Sequence, residues 1–132
     1  MSFFPTIFTN EIVDTAGQES LTLKNVVKQL NALFSSASNA ATSGAVTVPL
    51  TTVYDGYSSD DTDADVEASL ADGFNGQVKI IKYEASGTNA NDLVITPANY
   101  ADGTSITLTA AGDIAVLMFV GDSWQSIYTN AT

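Results

Sequence analysis

The side chains best equipped for chemistry are carboxylates. The run Asp60-Asp61-Thr62-Asp63-Ala64-Asp65 is the densest cluster in the chain. Asp61, Asp63 and Asp65 stand where the first, third and fifth ligands of a calcium loop would, and Asp72 where the twelfth would. Calcium needs several hard oxygens converging at about 2.5 Å, and this spacing offers them. However, Val66 occupies the position that needs Gly for the sharp turn, and Asp72 is shorter than the bidentate Glu. The expectation is a solvated acidic loop that holds no metal and caps a short helix over about Asp65–Ala71, its carboxylates favoured at the helix N-terminus. Paired carboxylates also run glycoside hydrolysis. With eleven Asp and four Glu some pair is inevitable, so that signal carries no information.

Most other chemistry is excluded by composition. The chain has no His, Cys or Arg, and its four bases are all Lys. It therefore lacks a base poised near neutral pH, a thiolate, and a bidentate anion clamp. Fifteen acids against four bases give a net charge of −11, which disfavours nucleic acid and anionic membranes as partners. No phosphate loop, metalloprotease helix or nucleophile elbow is present. The expectation is a non-enzyme with no catalytic residues and no cofactor. Trp124 and Tyr128 are spaced for one strand face and, with Tyr54 or Tyr83, suggest a sugar-stacking platform. Core packing is the favoured reading, because Trp buries a large apolar area. The opening residues lack the basic and apolar regions of a signal peptide, which leads to an expectation of cytoplasmic synthesis. The longest apolar run, Ile114 to Val120, is strand-sized and well short of the ~18 residues of a membrane span.

Three textures follow along the chain. Met1 to about Thr15 is an apolar arm carrying Phe3, Phe4, Ile7, Phe8, Ile12 and Val13, and Pro5 interrupts any helix. It docks either on its own domain or on a neighbouring subunit. Next, Leu23, Val26, Val27, Leu30, Leu33 and Phe34 form one apolar stripe at helical spacing, with Ser20 as N-cap. Packing of this helix on a sheet is favoured over a coiled-coil trimer. A small polar linker, 35–44, ends the first unit, residues 1–44. Residues 45–132 read as β, with 45% hydrophobic residues in the chain and a mean hydropathy of +0.13. Val46, Val48, Leu50, Thr52 and Tyr54 share one face of an extended edge segment, which Pro49 suits. Further strands are expected over Val78–Glu84, Leu93–Ile95, Ile106–Leu108, a central Ile114–Val120, and Ser123–Thr129 after a Gly121-Asp122 turn. The last three are expected to form an antiparallel meander. The Asp-Gly pairs at Asp55, Asp72 and Asp102 are expected to punctuate strands. The fold class is therefore mainly β, an antiparallel β-sandwich or barrel-like domain with an N-terminal arm and one amphipathic helix.

The stretch Gly73-Phe74-Asn75-Gly76-Gln77-Val78-Lys79-Ile80-Ile81 precedes Asp92-Leu93-Val94-Ile95-Thr96-Pro97-Ala98-Asn99. Gly103-Thr104-Ser105-Ile106-Thr107-Leu108-Thr109, Gly112-Asp113 and Leu117-Met118-Phe119 follow, and Trp124 closes the series. It resembles a β module of tailed-phage virion proteins, especially capsid decoration proteins and head or tail fibres. The marks are Gly-Gln before a strand, Thr-Pro before a Gly-Thr strand, and the late Trp. The resemblance covers under half of the chain. It implies a non-enzymatic virion component, usually trimeric, located on the capsid surface with the major capsid protein as partner. The short length favours a cement protein that stabilises the shell over a long fibre; the alternative is a receptor-binding knob or fibre tip for host glycans. Interface candidates are Phe3, Phe4, Ile7, Phe8, Leu23, Val27, Leu30 and Phe34, with Val48 and Leu50 on a strand edge open to strand addition.

Burying each large side chain of the uncharged Met1–Phe8 arm is worth about 1.5–3 kcal/mol. Deleting residues 2–8 is therefore expected to leave the β domain folded and to abolish shell binding. Co-sedimentation with undecorated heads, beside circular dichroism of the free domain, checks this; normal occupancy by the truncated chain would move the binding surface elsewhere.

Overall fold

The computed structural model describes residues 36–131 and, as backbone alone, 11–13 and 20–22. The described part is mainly β. Strands β1 (Glu11–Val13) and β2 (Ser20–Thr22) pair antiparallel as a small separate sheet. Ser20 thus begins a strand rather than capping a helix at the next residue. The apolar stripe from Leu23 to Phe34 and the arm residues Phe3, Phe4, Ile7 and Phe8 lie outside the described residues.

The remaining strands are β3 (Ser36–Ser38), β4 (Gly44–Thr47), β5 (Tyr54–Ser58), β6 (Val66–Leu70), β7 (Val78–Ala85), β8 (Leu93–Pro97), β9 (Ile106–Leu108), β10 (Ile114–Val120) and β11 (Ser123–Thr129). They form a five-stranded sheet of order β11-β10-β7-β5-β3 and a four-stranded sheet of order β4-β6-β8-β9. From β3 to β8 the chain alternates between the two sheets. Sheet neighbours are therefore next-but-one in sequence, and they run parallel: β3 with β5, β5 with β7, β4 with β6, and β6 with β8. A parallel pair needs a long crossover. Here a strand of the opposite sheet fills that role in place of a helix. Only β8–β9, β7–β10 and β10–β11 pair antiparallel within these sheets. The sheets are thus mixed, which corrects the antiparallel expectation.

Each correction has a local cause. In β6, buried Val66, Ala68 and Leu70 alternate with exposed Glu67 and Ser69, a period of two. That pattern makes 66–70 a strand, where the acidic residues ahead of it suggested a helix. The 35–44 stretch read as linker supplies β3 and an isolated bridge from Thr42 to Ser59. The extended segment 46–54 is two strands of different sheets joined by a corner, so it offers no continuous edge. Only β4 lies at the margin of its sheet. The expected meander is divided, because β9 pairs with β8 while β10 and β11 form a hairpin beside β7. At the turn between β9 and β10 the Asp113 carboxylate accepts the Thr109 and Ala110 N–H groups at 3.1 and 3.0 Å, folding the chain across to the other sheet. Asp55-Gly56 lies inside β5 instead of punctuating a strand. Val78–Ala85, Leu93–Pro97 and the interior position of Ile114–Val120 match expectation, as does the tight turn, where Gly121 takes a positive φ of 69°.

One core joins the buried residues of both sheets: Val66, Ala68, Leu70, Leu93, Ile95, Ile106 and Leu108 from the four-stranded sheet, and Tyr57, Ile81, Tyr83, Ala115, Leu117, Phe119 and Trp124 from the other. Trp124 packs edge-on against Phe119, ring centroids 5.3 Å apart, and donates its indole N–H to the Ala71 carbonyl at 2.9 Å. Successive crossovers are stacked on one another by polar contacts. Ser59 Oγ accepts the Gly87 N–H at 2.7 Å and the Tyr83 hydroxyl at 3.0 Å. A Cβ on Gly87 would run into the Asp60 carbonyl oxygen, a backbone atom that cannot swing aside. Gly87→Ala is expected to destabilise the domain by about 1–3 kcal/mol, the usual cost of overpacking. Urea unfolding measures it, and a change below about 0.5 kcal/mol would show that the two crossovers are free to part.

Candidate functional site

The acidic run belongs to the crossover between β5 and β6, and three of its carboxylates, on Asp60, Asp61 and Asp65, accept bonds from nearby donors. Asp60 Oδ1 accepts the Thr62 hydroxyl at 2.5 Å and the Thr62 N–H at 3.0 Å. Asp61 Oδ1 accepts the Thr88 N–H at 2.9 Å and its hydroxyl at 3.0 Å, and Asp65 Oδ1 accepts the Asp92 N–H at 2.9 Å. Hydrogen bonds from Thr62 hold the Asp60 carboxyl below its ordinary range, and those from Thr88 do the same for Asp61. A depressed folded-state pKa contributes stability above the ordinary 3.8 and loses it as pH falls through the folded value. These carboxylates stitch one crossover to the next. Among the described residues no three metal-ligating side chains are grouped to hold an ion.

A second polar cluster was not anticipated from sequence. Lys79 and Asp55 face inward from the adjacent strands β7 and β5, pair directly, and are both 0% exposed. Lys79 Nζ also donates to the carbonyls of Pro49 at 2.8 Å and Thr52 at 2.6 Å, and the Thr52 hydroxyl donates to both Asp55 oxygens at 2.8 Å. Gln77 Nε2 donates to the Leu50 carbonyl at 2.9 Å. The 48–53 corner therefore turns its main-chain acceptors toward side chains from the start of β7. Desolvation pushes the Lys79 ammonium down, opposed by its bond to Asp55 and that charge. Nearby on β5, the buried Tyr57 hydroxyl is the one buried side-chain oxygen among the described residues without a hydrogen-bond partner. Burial first, and the Asp55 charge second, push its pKa up to about 12.

The outward face of the five-stranded sheet is the third feature. Register places Tyr54, Ile80, Val116 and Tyr128 in one row across β5, β7, β10 and β11. Val78 and Met118 sit in the next row. Among the described residues the exposed large hydrophobic side chains are Val120 at 40%, Ile127 at 57% and Tyr128 at 55%. All three lie on the β10–β11 hairpin. A register shift places Tyr128: Leu117 faces Ser126 while Val116 faces Tyr128, leaving Ile127 as an extra residue. A bulge of this kind re-aims the side chains beyond it. Trp124 and Tyr128, expected on one face, therefore part, with Trp124 in the core and Tyr128 outward.

The interface candidates fall out as follows. Val48 is buried in the core and Leu50 packs against it, so neither offers a free edge. Phe3, Phe4, Ile7, Phe8, Leu23, Val27, Leu30 and Phe34 lie outside the described residues. Of the aromatics weighed as a sugar platform, Tyr83 and Trp124 are buried. The Tyr54 hydroxyl is engaged by Glu84 at 2.8 Å. Ile127 and Tyr128 carried no local signal of exposure, because only the bulge decides their facing. Comparison of the chain with protein-family models, curated proteins and solved structures finds no match.

Removing one member of the buried pair strands the other's charge in a dry core, which costs about 3–5 kcal/mol. Lys79→Met is expected to destabilise by that amount, and Lys79→Met with Asp55→Leu to regain part of it. Urea unfolding of the three proteins measures this; a single variant as stable as the parent would show the pair to be energetically idle.

Proposed function

We propose that this chain is a structural virion protein that decorates and stabilises a phage capsid exterior, its two sheets forming a β-sandwich. The carrying observation is the set of exposed apolar side chains Val120, Ile127 and Tyr128 on the β10–β11 hairpin, with Tyr128 in register beside the half-buried Val116 and Ile80. Exposed contiguous apolar surface marks interaction sites. Among the described residues Asp60, Asp61 and Asp65 are engaged within the crossovers, so apolar area is the proposed means by which this part of a chain of net charge −11 holds a shell. Binding through apolar area also persists at high ionic strength, where charge contacts are screened. A protein that binds the assembled shell, and not its separated subunits, stabilises it by mass action. The major capsid protein is the proposed partner and a homotrimer the proposed form, each trimer adding avidity to modest single contacts.

The alternative, a receptor-binding knob for host glycans, needs exposed aromatics among Tyr54, Tyr57, Tyr100 and Trp124. Tyr57 and Trp124 are buried, and the Tyr54 and Tyr100 hydroxyls are engaged by Glu84 and Ser126. That reading is the weaker one.

The test is Ile127→Ser with Tyr128→Ser. Both side chains are exposed, so thermal unfolding is expected to change little, while affinity for undecorated heads falls at least tenfold, given about 1.5–3 kcal/mol for each fully buried apolar side chain. Co-sedimentation at low and high salt reads it. Undiminished occupancy by the variant would remove this face from the contact.

A further inference from the structure

Lys79 and Asp55 bring an amine and a carboxyl into direct contact inside a core that holds both at 0% exposure. The two sit on neighbouring parallel strands, β7 and β5, in the middle of the five-stranded sheet. Each partner is also fixed by the corner between β4 and β5. Thr52 holds both carboxylate oxygens through its hydroxyl, and the Pro49 and Thr52 carbonyls hold Nζ. We propose that Lys79 and Asp55 join in an intramolecular isopeptide bond, formed in the folded chain without any added reactant.

In water an ammonium and a carboxylate do not condense, because the charged forms are well solvated and the amine is not nucleophilic. A dry site reverses both conditions. Ionised groups deprived of water tend to neutralise one another, and burial pushes the Lys79 ammonium in that direction. The proton passes from Nζ to Asp55 Oδ2, leaving a neutral amine beside a neutral acid. The Nζ lone pair then attacks Cγ, and the tetrahedral adduct collapses with cleavage of the Cγ–Oδ2 bond. Oδ2 leaves as water, carrying the first proton and a second one from Nζ. Ammonium plus carboxylate thus becomes one secondary amide plus one water, with no change in charge or oxidation state. Fixed partners of this kind reach effective molarities on the order of 10⁵–10⁸ M. The product keeps part of the network: its one N–H serves one of the Pro49 and Thr52 carbonyls, and the new amide oxygen accepts the Thr52 hydroxyl.

The bond would tie β5 to β7 and enclose β6 in a covalent loop. That suits a protein whose next-but-one strands must stay paired, though the inference stands on the buried pair alone and is independent of the proposed function. Intact mass of the full chain, folded, aged and then denatured, is the first readout. The expected value lies about 18 Da below that of the unmodified chain, and Lys79→Met restores the full mass whether or not it folds. Asp55 is followed by Gly56, so a succinimide there would also lose one water. Proteolysis separates the cases. With the isopeptide, cleavage between residues 55 and 79 leaves two fragments joined, and trypsin fails to cut after Lys79. A chain of full mass, or a water loss carried by a linear peptide and reversed in mild base, would overturn the proposal.

Discussion

Main-chain carbonyls at the 48–53 corner set the central constraint on this molecule. The corner carries the chain from one sheet to the other and turns the Pro49, Leu50 and Thr52 oxygens toward side chains at the start of β7. An unpaired buried carbonyl costs about as much as a lost hydrogen bond. Lys79 and Gln77 supply donors there, and Asp55 meets Lys79 in the same cluster. The first crossover is thus locked to β7, a strand reached only after a further excursion through the four-stranded sheet. Without that cluster the winding has no anchor at its middle, and the apolar core alone would tolerate other pairings of equally hydrophobic strands.

The same logic governs the acidic residues. In most soluble proteins carboxylates decorate a surface; here several act as acceptors for backbone N–H groups of the neighbouring crossover. Asp61 and Asp65 bind Thr88 and Asp92, and Asn91 Nδ2 donates to the Thr62 carbonyl at 2.5 Å. Side chains with high charge thereby do a structural task at the ends of the strands. The outward face of the five-stranded sheet stays nearly free of charge, with Lys82 and Glu84 toward one end of β7.

Strand existence was legible from sequence wherever apolar residues alternated or ran on without a break, as in Val78–Glu84, Leu93–Ile95 and Ile114–Val120. Partner choice was not. A period of two says that a segment is extended; it does not say which strand lies beside it. The meander assumption came from sequence proximity, which the alternating path defeats. Val66–Leu70 was misread because the preceding Asp residues resemble a helix N-terminus, although Val66, Ala68 and Leu70 already showed alternation. Lys79 was hidden by type: a Lys within an apolar strand usually faces solvent, and its burial depends on acceptors 27 and 30 residues away. Tyr128 was assigned the wrong face because a bulge leaves no mark that a simple count can detect.

Interleaved strands bear on how the chain comes off the ribosome. β3 and β4 emerge with no neighbour to pair with, since their partners β5 and β6 follow much later. From β5 to β8 each new strand then docks beside one two places back, so within the two larger sheets no antiparallel neighbours in sequence pair until β8 and β9. Contacts of this kind are slow to form and keep sheet margins open meanwhile. A nascent chain in that condition gains from mutual electrostatic repulsion between molecules, and an excess of eleven negative charges provides it while the winding is still incomplete.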